Sequence, residues 1–146
     1  IEVMRALWTQ DSINFEGKWH RIQGAGINPK PIQQPIPVWI AGASRAAIKR
    51  AAAIGDGWIG SPMESDMNKH GEMVDQLKSY ASEFGREMST LGIDGRLSLV
   101  QGNPDSHLND AATWKKLGAT TLTISLSPKQ PFDQGLHEAQ EIARSL

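Results

Sequence analysis

The pattern of apolar and polar positions changes several times along the chain, and each change predicts a different element. Residues 1–8 place apolar side chains three and four positions apart, which is the spacing of one helix face. Residues 37–41 are almost continuously apolar, as is typical of a parallel strand that is buried on both faces. Residues 119–126 instead alternate Leu or Ile with Thr or Ser, which predicts a strand with one aliphatic and one small polar face.

Strand-like and helix-like segments alternate from residue 37 to the end of the chain. The predicted strands are 37–41, 58–61, 96–101 and 119–126, and the predicted helices are 45–54, 65–84, 109–117 and 133–146. Residues 86–95 are interpreted as a connection. Such alternation predicts βα units around a parallel sheet. Two architectures fit this order: an open doubly wound sheet, and part of a (β/α)₈ barrel, which normally needs about 250 residues.

The segment before these units has a different character. Residues 9–37 carry no long periodic stretch, and their short apolar runs on either side of Gly17 predict two strands joined by a turn. Four of the eight prolines fall within residues 28–37, so this stretch is predicted to be extended and free of helix.

Composition excludes several classes of function. The formal net charge is -1 and no basic cluster is present, so no nucleic-acid partner is expected. The longest apolar runs are far shorter than a bilayer span, so no membrane partner is expected. Cysteine is absent, which excludes thiolate nucleophiles and fits the reducing cytoplasm, our expected location. The four histidines have no helical ligand spacing, so we expect no metal.

The turn after the strand at residues 37–41 is the best candidate for a binding site. Gly42, Ala43 and Ser44 lead into a predicted helix, where free backbone N–H groups and the helix dipole favour an anion. Ser44 can add a hydroxyl donor, and Arg45, Lys49 and Arg50 make the region positive. From the residues alone, a phosphate site and an ordinary capped turn both stay open. Trp39 and Trp58 are expected to pack in the core, and Trp114 is expected to pack a helix against the sheet.

Four motifs in one order resemble a known family. They are F-E-G-K at 15–18, P-K-P-I-Q at 29–33, I-A-G-A-S at 40–44 and G-D-G-W at 55–58. Together they resemble the luciferase-like monooxygenase family, over essentially the whole chain. Within it, the chain is most similar to the branch that uses the deazaflavin coenzyme F-420.

The resemblance implies a fold and a cofactor site. It implies that residues 1–146 form a single fragment, the C-terminal half of a (β/α)₈ TIM-type barrel with strands five to eight. Residues 9–37 are then an insertion before strand five. The family binds coenzyme F-420 or, alternatively, FMN at the carboxyl ends of its strands. The cofactor-binding residues that the match implies are Ile40, Ala41, Gly42, Ala43 and Ser44. No catalytic residue can be assigned, because those of the family lie largely on the first half of the barrel.

Three functions follow as alternatives. The first is a coenzyme F-420-dependent oxidoreductase acting on a small-molecule substrate, the second an FMN-dependent monooxygenase, and the third a non-catalytic, self-assembling half barrel. The chain by itself is expected to be inactive. A half barrel has two open edges and an exposed inner face, on which Val38, Ile40, Ile59 and Leu99 are expected. A homo-oligomer, or association with the N-terminal half, is therefore expected.

Overall fold

The computed structural model describes residues 1–100 and 102–146, which form two compact units, Ile1–Val38 and Trp39–Leu146. In the first unit the elements are α1 (Glu2–Thr9), β1 (Ile13–Glu16) and β2 (Arg21–Ala25). In the second unit they are β3 (Trp39–Ala41), α2 (Arg45–Ile54), β4 (Gly57–Ile59), α3 (Met67–Glu83), a 3₁₀ turn (Met88–Thr90), β5 (Gly92–Ser98), α4 (Pro104–Leu117), β6 (Thr121–Ser125) and α5 (Phe132–Ser145).

The first unit agrees with the prediction for this part of the chain. Strands β1 and β2 form an antiparallel hairpin, and Gly17 N–H donates to the carbonyl of His20 across the turn at 2.9 Å. Residues 28–37 contain neither helix nor strand, because four prolines withhold backbone donors.

The second unit is built on a parallel sheet in the order β3-β4-β5-β6. Strands that follow one another in the chain are neighbours in this sheet, giving the pairs β3 with β4, β4 with β5 and β5 with β6, with a helix between the two strands of each pair. The predicted succession of βα units and the parallel sheet are therefore confirmed. Strands β3 and β6 are its two edges.

The two faces of this sheet differ in character. On one face Ile40, Trp58 and Ile93 lie in register and join a core that α2, α3 and α4 cover. Leu97 and Ile124 extend that face into a second cluster against α4 and α5. We call the opposite face, which the register assigns to Trp39, Ala41, Ile59, Asp94, Arg96, Ser98, Thr121, Thr123 and Ser125, the open face.

Two tryptophans fill space that glycines leave on the sheet. The Trp114 ring from α4 covers Gly95, where a Cβ atom would approach Trp114 Cδ2 to 2.6 Å. Trp114 is thus the predicted helix-to-sheet contact, and Trp58 is also fully buried. Trp39 departs from the prediction: its ring lies on the open face across Gly57 and Gly92, and it is half-buried.

Strand burial corrects two predictions. Strand β3 is not buried on both faces, since Ala41 is exposed, because β3 is an edge strand and the open face has no covering layer. The expected set of exposed inner-face residues is also partly wrong. Ile40 packs against the core and Leu99 is only 4% exposed, whereas Ile59 does lie on the open face.

Two element starts differ from the prediction by several residues. Strand β5 begins at Gly92 rather than at residue 96, since glycines and an aspartate hide its strand pattern, while Gln101 lies outside the described residues. Helix α4 begins at Pro104 rather than near 109, because proline fits the first helical turn. Helix α2 spans Arg45–Ile54 as predicted, and the Gly55 that follows it is extended.

Candidate functional site

The carboxyl ends of the four parallel strands meet at one edge of the sheet, where the loops to the helices begin. In parallel α/β folds this edge is where ligands bind, since the loops there vary without disturbing the sheet. The candidate residues at 40–44 lie at the end of β3, so they belong to this edge.

Gly42 gives the loop after β3 its shape. Its φ is 132°, a conformation that side chains disfavour, and a Cβ atom there would lie 2.9 Å from the Ala47 Cβ. The loop is tied to β4 from both sides. Gly42 N–H donates to the Ile59 carbonyl at 3.4 Å, and Trp58 Nε1 donates to the Gly42 carbonyl at 2.9 Å. The loop is therefore fixed in an open, side-chain-free curve.

Ser44 caps helix α2, as the sequence predicts. Its Oγ accepts from the Ala47 N–H at 3.2 Å, and its carbonyl accepts from Ile48 N–H at 3.0 Å. The N–H groups of Arg45 and Ala46 have no acceptor within the helix, because they belong to its first turn. The Ser44 hydroxyl proton also remains able to donate. The exposed loop thus offers several donors at the positive end of the helix.

The charges around this loop are fewer than the sequence suggests. Lys49 forms an ion pair with Glu83 at 2.7 Å and lies 5.1 Å from the centre of the Tyr80 ring, so it joins α2 to α3. Arg45 is exposed in the first turn of α2. Ile40 points into the core, so its side chain faces away from the exposed side of the loop.

A polar group on the open face was missed by the sequence analysis. Thr123 Oγ1 donates to Asp94 Oδ1 at 2.9 Å, and Arg96 Nη2 lies 2.9 Å from Asp94 Oδ2. Asp94 is only 7% exposed, so the ion pair and hydrogen bond compensate for the burial of its charge. The period-two spacing of Asp94, Arg96 and Ser98 was an available signal, but the first of these fell in the assumed connection at 86–95.

A cavity of about 350 Å³ opens beside Arg96, between the loop after β4 and helix α4. His70 and Asp110 line it, and burial raises the pKa of Asp110, an effect that the neighbouring rings of His107 and His70 oppose. Glu64 also lines the cavity. The hydrogen bond that its carboxylate accepts from the Asp66 N–H lowers the pKa of Glu64, and Lys69 lowers it further.

Residues 1–100 and 102–146 contain no group of three or more His, Asp or Glu side chains placed to hold a metal ion. In the same part of the chain, no helix has the length and apolar character needed to cross a bilayer.

These observations define an α/β protein with a parallel sheet, helices packed on one face of that sheet, and a helix capped by Ser44 after the loop at its carboxyl edge. The family model described as luciferase-like monooxygenase matches residues 1–145, and the chain belongs to that family.

Known relatives and solved structures agree with this assignment. An F420-dependent glucose-6-phosphate dehydrogenase of Segniliparus rotundus is 30% identical over 135 residues, covering 89% of this chain and 39% of that protein. An F420-dependent secondary alcohol dehydrogenase superposes with a TM-score of 0.80 at 14% identity, over 99% of this chain and 59% of the other. EDTA monooxygenase from Chelativorans sp. BNC1 superposes with a TM-score of 0.71 at 14% identity, over 99% of this chain and 57% of that chain.

At these identities the structural matches show the fold alone. The chain spans less than half the length of the curated relatives it matches, 48% of one and 39% of another.

Proposed function

We propose that the protein containing this chain is an oxidoreductase that uses coenzyme F-420, and that this chain supplies the site for the cofactor's phosphate. Dehydrogenases named as F420-dependent occur both among the sequence relatives and among the structures with the same fold. The family assignment supports the same chemistry.

The loop at Ala41, Gly42, Ala43 and Ser44 carries this proposal. The residues present fit a phosphate, because glycine at 42 allows the positive φ that brings the loop close to α2, and Trp58 Nε1 holds the Gly42 carbonyl in a hydrogen bond. The N–H groups at the start of α2 and the Ser44 hydroxyl are donors suited to phosphate oxygens. Of the five residues expected at this site, Ile40 contributes support for the loop through its packing against the core.

When bound, a deazaflavin or flavin ring supplies the hydride-transferring group. The residues of this chain bind and orient the cofactor rather than move protons or hydride. The loop fixes one end of the cofactor, and β3 and β4 fix the loop through the contacts of Gly42. No residue of the chain is assigned a catalytic role.

We also propose that the sheet is the C-terminal half of a (β/α)₈ barrel. Its strand order and its open face, which lacks a helical layer, support this reading, since a barrel interior is covered only when all eight strands close. Nearly the whole of this chain superposes on 59% of the F420-dependent secondary alcohol dehydrogenase, which gives further support.

The alternative is an FMN-dependent monooxygenase, which the similarity to EDTA monooxygenase favours. Both cofactors carry a phosphate, so the loop fits either. The absorption spectrum of the cofactor that copurifies with the protein distinguishes them, because flavin and deazaflavin rings absorb at different wavelengths. Purification without any bound chromophore, and without affinity for either, would favour the third alternative, a non-catalytic half barrel.

Replacing Gly42 with Asp in the protein expressed from its gene tests the phosphate site. The carboxylate would occupy the curve of the loop and repel the phosphate, so we expect cofactor affinity to fall at least about tenfold, or 1.4 kcal/mol. Fluorescence titration with coenzyme F-420 measures the affinity.

Gly85→Asp is the matched control, since Gly85 also has a positive φ, 67°, and lies at the end of α3. It introduces the same charge at another positive-φ position away from the loop, although the space around Gly85 is open and that around Gly42 is not. A folded Gly42→Asp protein that binds the cofactor as tightly as the Gly85→Asp control would contradict the assignment.

A further inference from the structure

Trp58 ends the G-D-G-W motif, and its hydrogen bond reaches the loop after β3. The side chain is fully buried on the helix-covered face of the sheet, in register with Ile40 of β3. Its Nε1 donates to the Gly42 carbonyl at 2.9 Å, across 16 residues of the chain. A purely apolar ring would also fill the core at this position, so the indole N–H contributes something that packing does not require.

The direction of the Gly42 carbonyl sets the direction of the next N–H group. The peptide that joins Gly42 to Ala43 is planar and trans, so its C=O and N–H bonds point in opposite directions. Because the carbonyl points towards the buried Trp58 indole, the Ala43 N–H points away from that indole. Ala43 is exposed, and its N–H has no acceptor among residues 1–100 and 102–146. The loop therefore presents this N–H as a donor that a ligand can use.

Rotation of this peptide would harm an anion site. Glycine has the widest range of backbone angles of any residue, so the peptide that follows Gly42 needs a partner to hold one orientation. After half a turn, the Gly42 carbonyl oxygen would take the direction that the Ala43 N–H now has. The neighbouring donors are the Ser44 hydroxyl and the N–H groups of the first turn of α2. A carbonyl oxygen beside these donors would repel the anion that they attract.

We propose that Trp58 is a positioning residue for the anion site. Its indole N–H fixes the orientation of the peptide between Gly42 and Ala43, and so keeps the Ala43 N–H available to the cofactor's phosphate. In this role Trp58 acts through Gly42 rather than by contacting the phosphate. The inference rests on the proposed function, because only an anion at this loop makes use of the donor.

The test replaces Trp58 by benzothienylalanine in the protein expressed from its gene. This residue has the shape of tryptophan with a sulfur atom in place of the N–H group, so it fills the core and removes only the donor. Fluorescence titration measures the affinity for whichever of coenzyme F-420 and FMN the parent protein binds. We expect the affinity to fall about tenfold, because the phosphate loses one correctly oriented hydrogen bond. Trp58→Phe removes the same donor and should lower the affinity at least as much.

Trp114 provides a matched control on the same sheet. It is only 1% exposed, and its Nε1 donates to the Arg96 carbonyl at 3.2 Å, so Trp114→benzothienylalanine removes an equivalent buried hydrogen bond. Urea denaturation should show similar losses of stability for the two variants. Only the variant at Trp58 should bind the cofactor more weakly than the parent does.

Nuclear magnetic resonance reports on the peptide itself. Labelling of glycine carbonyl carbons with ¹³C and of alanine nitrogens with ¹⁵N selects the peptides that join Gly to Ala. In this chain these peptides are 24–25, 42–43 and 118–119. In the parent protein, the cofactor should move the Ala43 amide proton downfield, since its N–H donates to phosphate, and should leave the other two unchanged. In the ligand-free variant at Trp58, the Gly42 carbonyl carbon should shift upfield because it has lost its donor.

The outcomes separate this role from the function on which it rests. A folded Trp58→benzothienylalanine protein that binds the cofactor as tightly as the Trp114 control would overturn the role and leave the proposed function intact. An Ala43 amide proton that does not move in the saturated parent protein would do the same. A parent protein with affinity for neither coenzyme F-420 nor FMN would instead overturn the proposed function, and the role of Trp58 with it.

Discussion

Asp110 on α4 is a carboxyl group whose ionisation the fold opposes. Burial raises its pKa above the ordinary value of 3.8, and the rings of His107 and His70 offset only part of this. A carboxyl group with a raised pKa in the folded state stabilises the protein below its unfolded pKa. That contribution is lost as the pH rises through the folded pKa, because ionisation is then easier in the unfolded chain.

Replacing Asp110 with Asn should therefore increase the free energy of unfolding at neutral pH. The difference from the parent protein should shrink as the pH falls and vanish below about 3.8, where both side chains are neutral. Urea denaturation at several pH values measures this. Glu72→Gln, at an exposed carboxyl group on α3, is the control. A parent protein that gains stability relative to Asp110→Asn as the pH rises would contradict the assignment.

The residues that the sequence identified depend on near neighbours in the chain, whereas those that it missed depend on distant ones. Ser44 caps α2 through atoms three residues away, so its role follows from local order. His70, Asp94 and Arg96 depend on neighbours from other elements. Asp94 meets Thr123, 29 residues along the chain, only because β5 and β6 pair.

At the scale of the element, helix α2 is held at both ends. Ser44 caps its start, and Arg86, which follows α3, closes its end by donating from Nη1 to the carbonyls of Ala52 at 2.8 Å and Gly55 at 2.7 Å. Helix-terminal carbonyls have no intrahelical donor, so this guanidinium satisfies groups that would otherwise be unpaired. Arg86 thereby connects α2, which carries the candidate loop, to α3.

Arg86→Met should destabilise the protein by about 2 kcal/mol, since two partly buried carbonyls lose their charged donor. Arg86→Lys should lower the free energy of unfolding by less, because the lysine ammonium group can still donate to one of the two carbonyls. Guanidinium denaturation gives the free energies, and hydrogen exchange should show faster exchange at the end of α2. Arg144→Met, at an exposed ion pair on α5, is the control. Equal stabilities for Arg86→Met and that control would remove the role assigned to Arg86.

Element boundaries show where sequence patterns are ambiguous. Helix α4 begins with a reciprocal cap in which Asn103 Oδ1 accepts from the Ser106 N–H at 3.0 Å and Ser106 Oγ accepts from the Asn103 N–H at 2.9 Å. The sequence pattern predicts the start of this helix only near residue 109, because the Gly, Asn, Pro and Asp at 102–105 favour turns and helix starts alike. Strand β5 was shortened because Gly92 and Gly95 weaken a strand pattern, although they make room for two tryptophan rings.

At the scale of the whole molecule, the described residues of the second unit leave β3 and β6 as sheet edges, and the helices of that unit lie on one face of the sheet. Unpaired edges favour pairing with further strands. The open face is less apolar than expected, because Ile40 and Leu99 are in the core and Asp94 and Arg96 occupy the middle of β5. We therefore expect the edges to contribute more to association than burial of apolar surface does.

The chain expressed by itself should be a dimer or larger assembly, or should bind a separately expressed N-terminal half. Light scattering at micromolar concentration measures the size. Thr121→Lys, which places a charge on the exposed edge strand β6, should shift the assembly toward the monomer, and Thr113→Lys on α4 is the control for added charge. A stable monomer that unfolds cooperatively would contradict both the half-barrel reading and the expected association.

The sequence by itself determined the order of the βα units, the parallel sheet, the capped turn at Ser44 and the family, because each depends on residues adjacent or nearly adjacent in the chain. The alternation also predicted the aliphatic and the small polar face of β6, but for β3, β4 and β5 only the tertiary structure decided which face of the sheet each residue occupies. It also decided that His70 and Arg96 border one cavity, which follows from the packing of α3 and α4 against β5. Such contacts join distant segments, and the one-dimensional pattern carries no measure of distances between them.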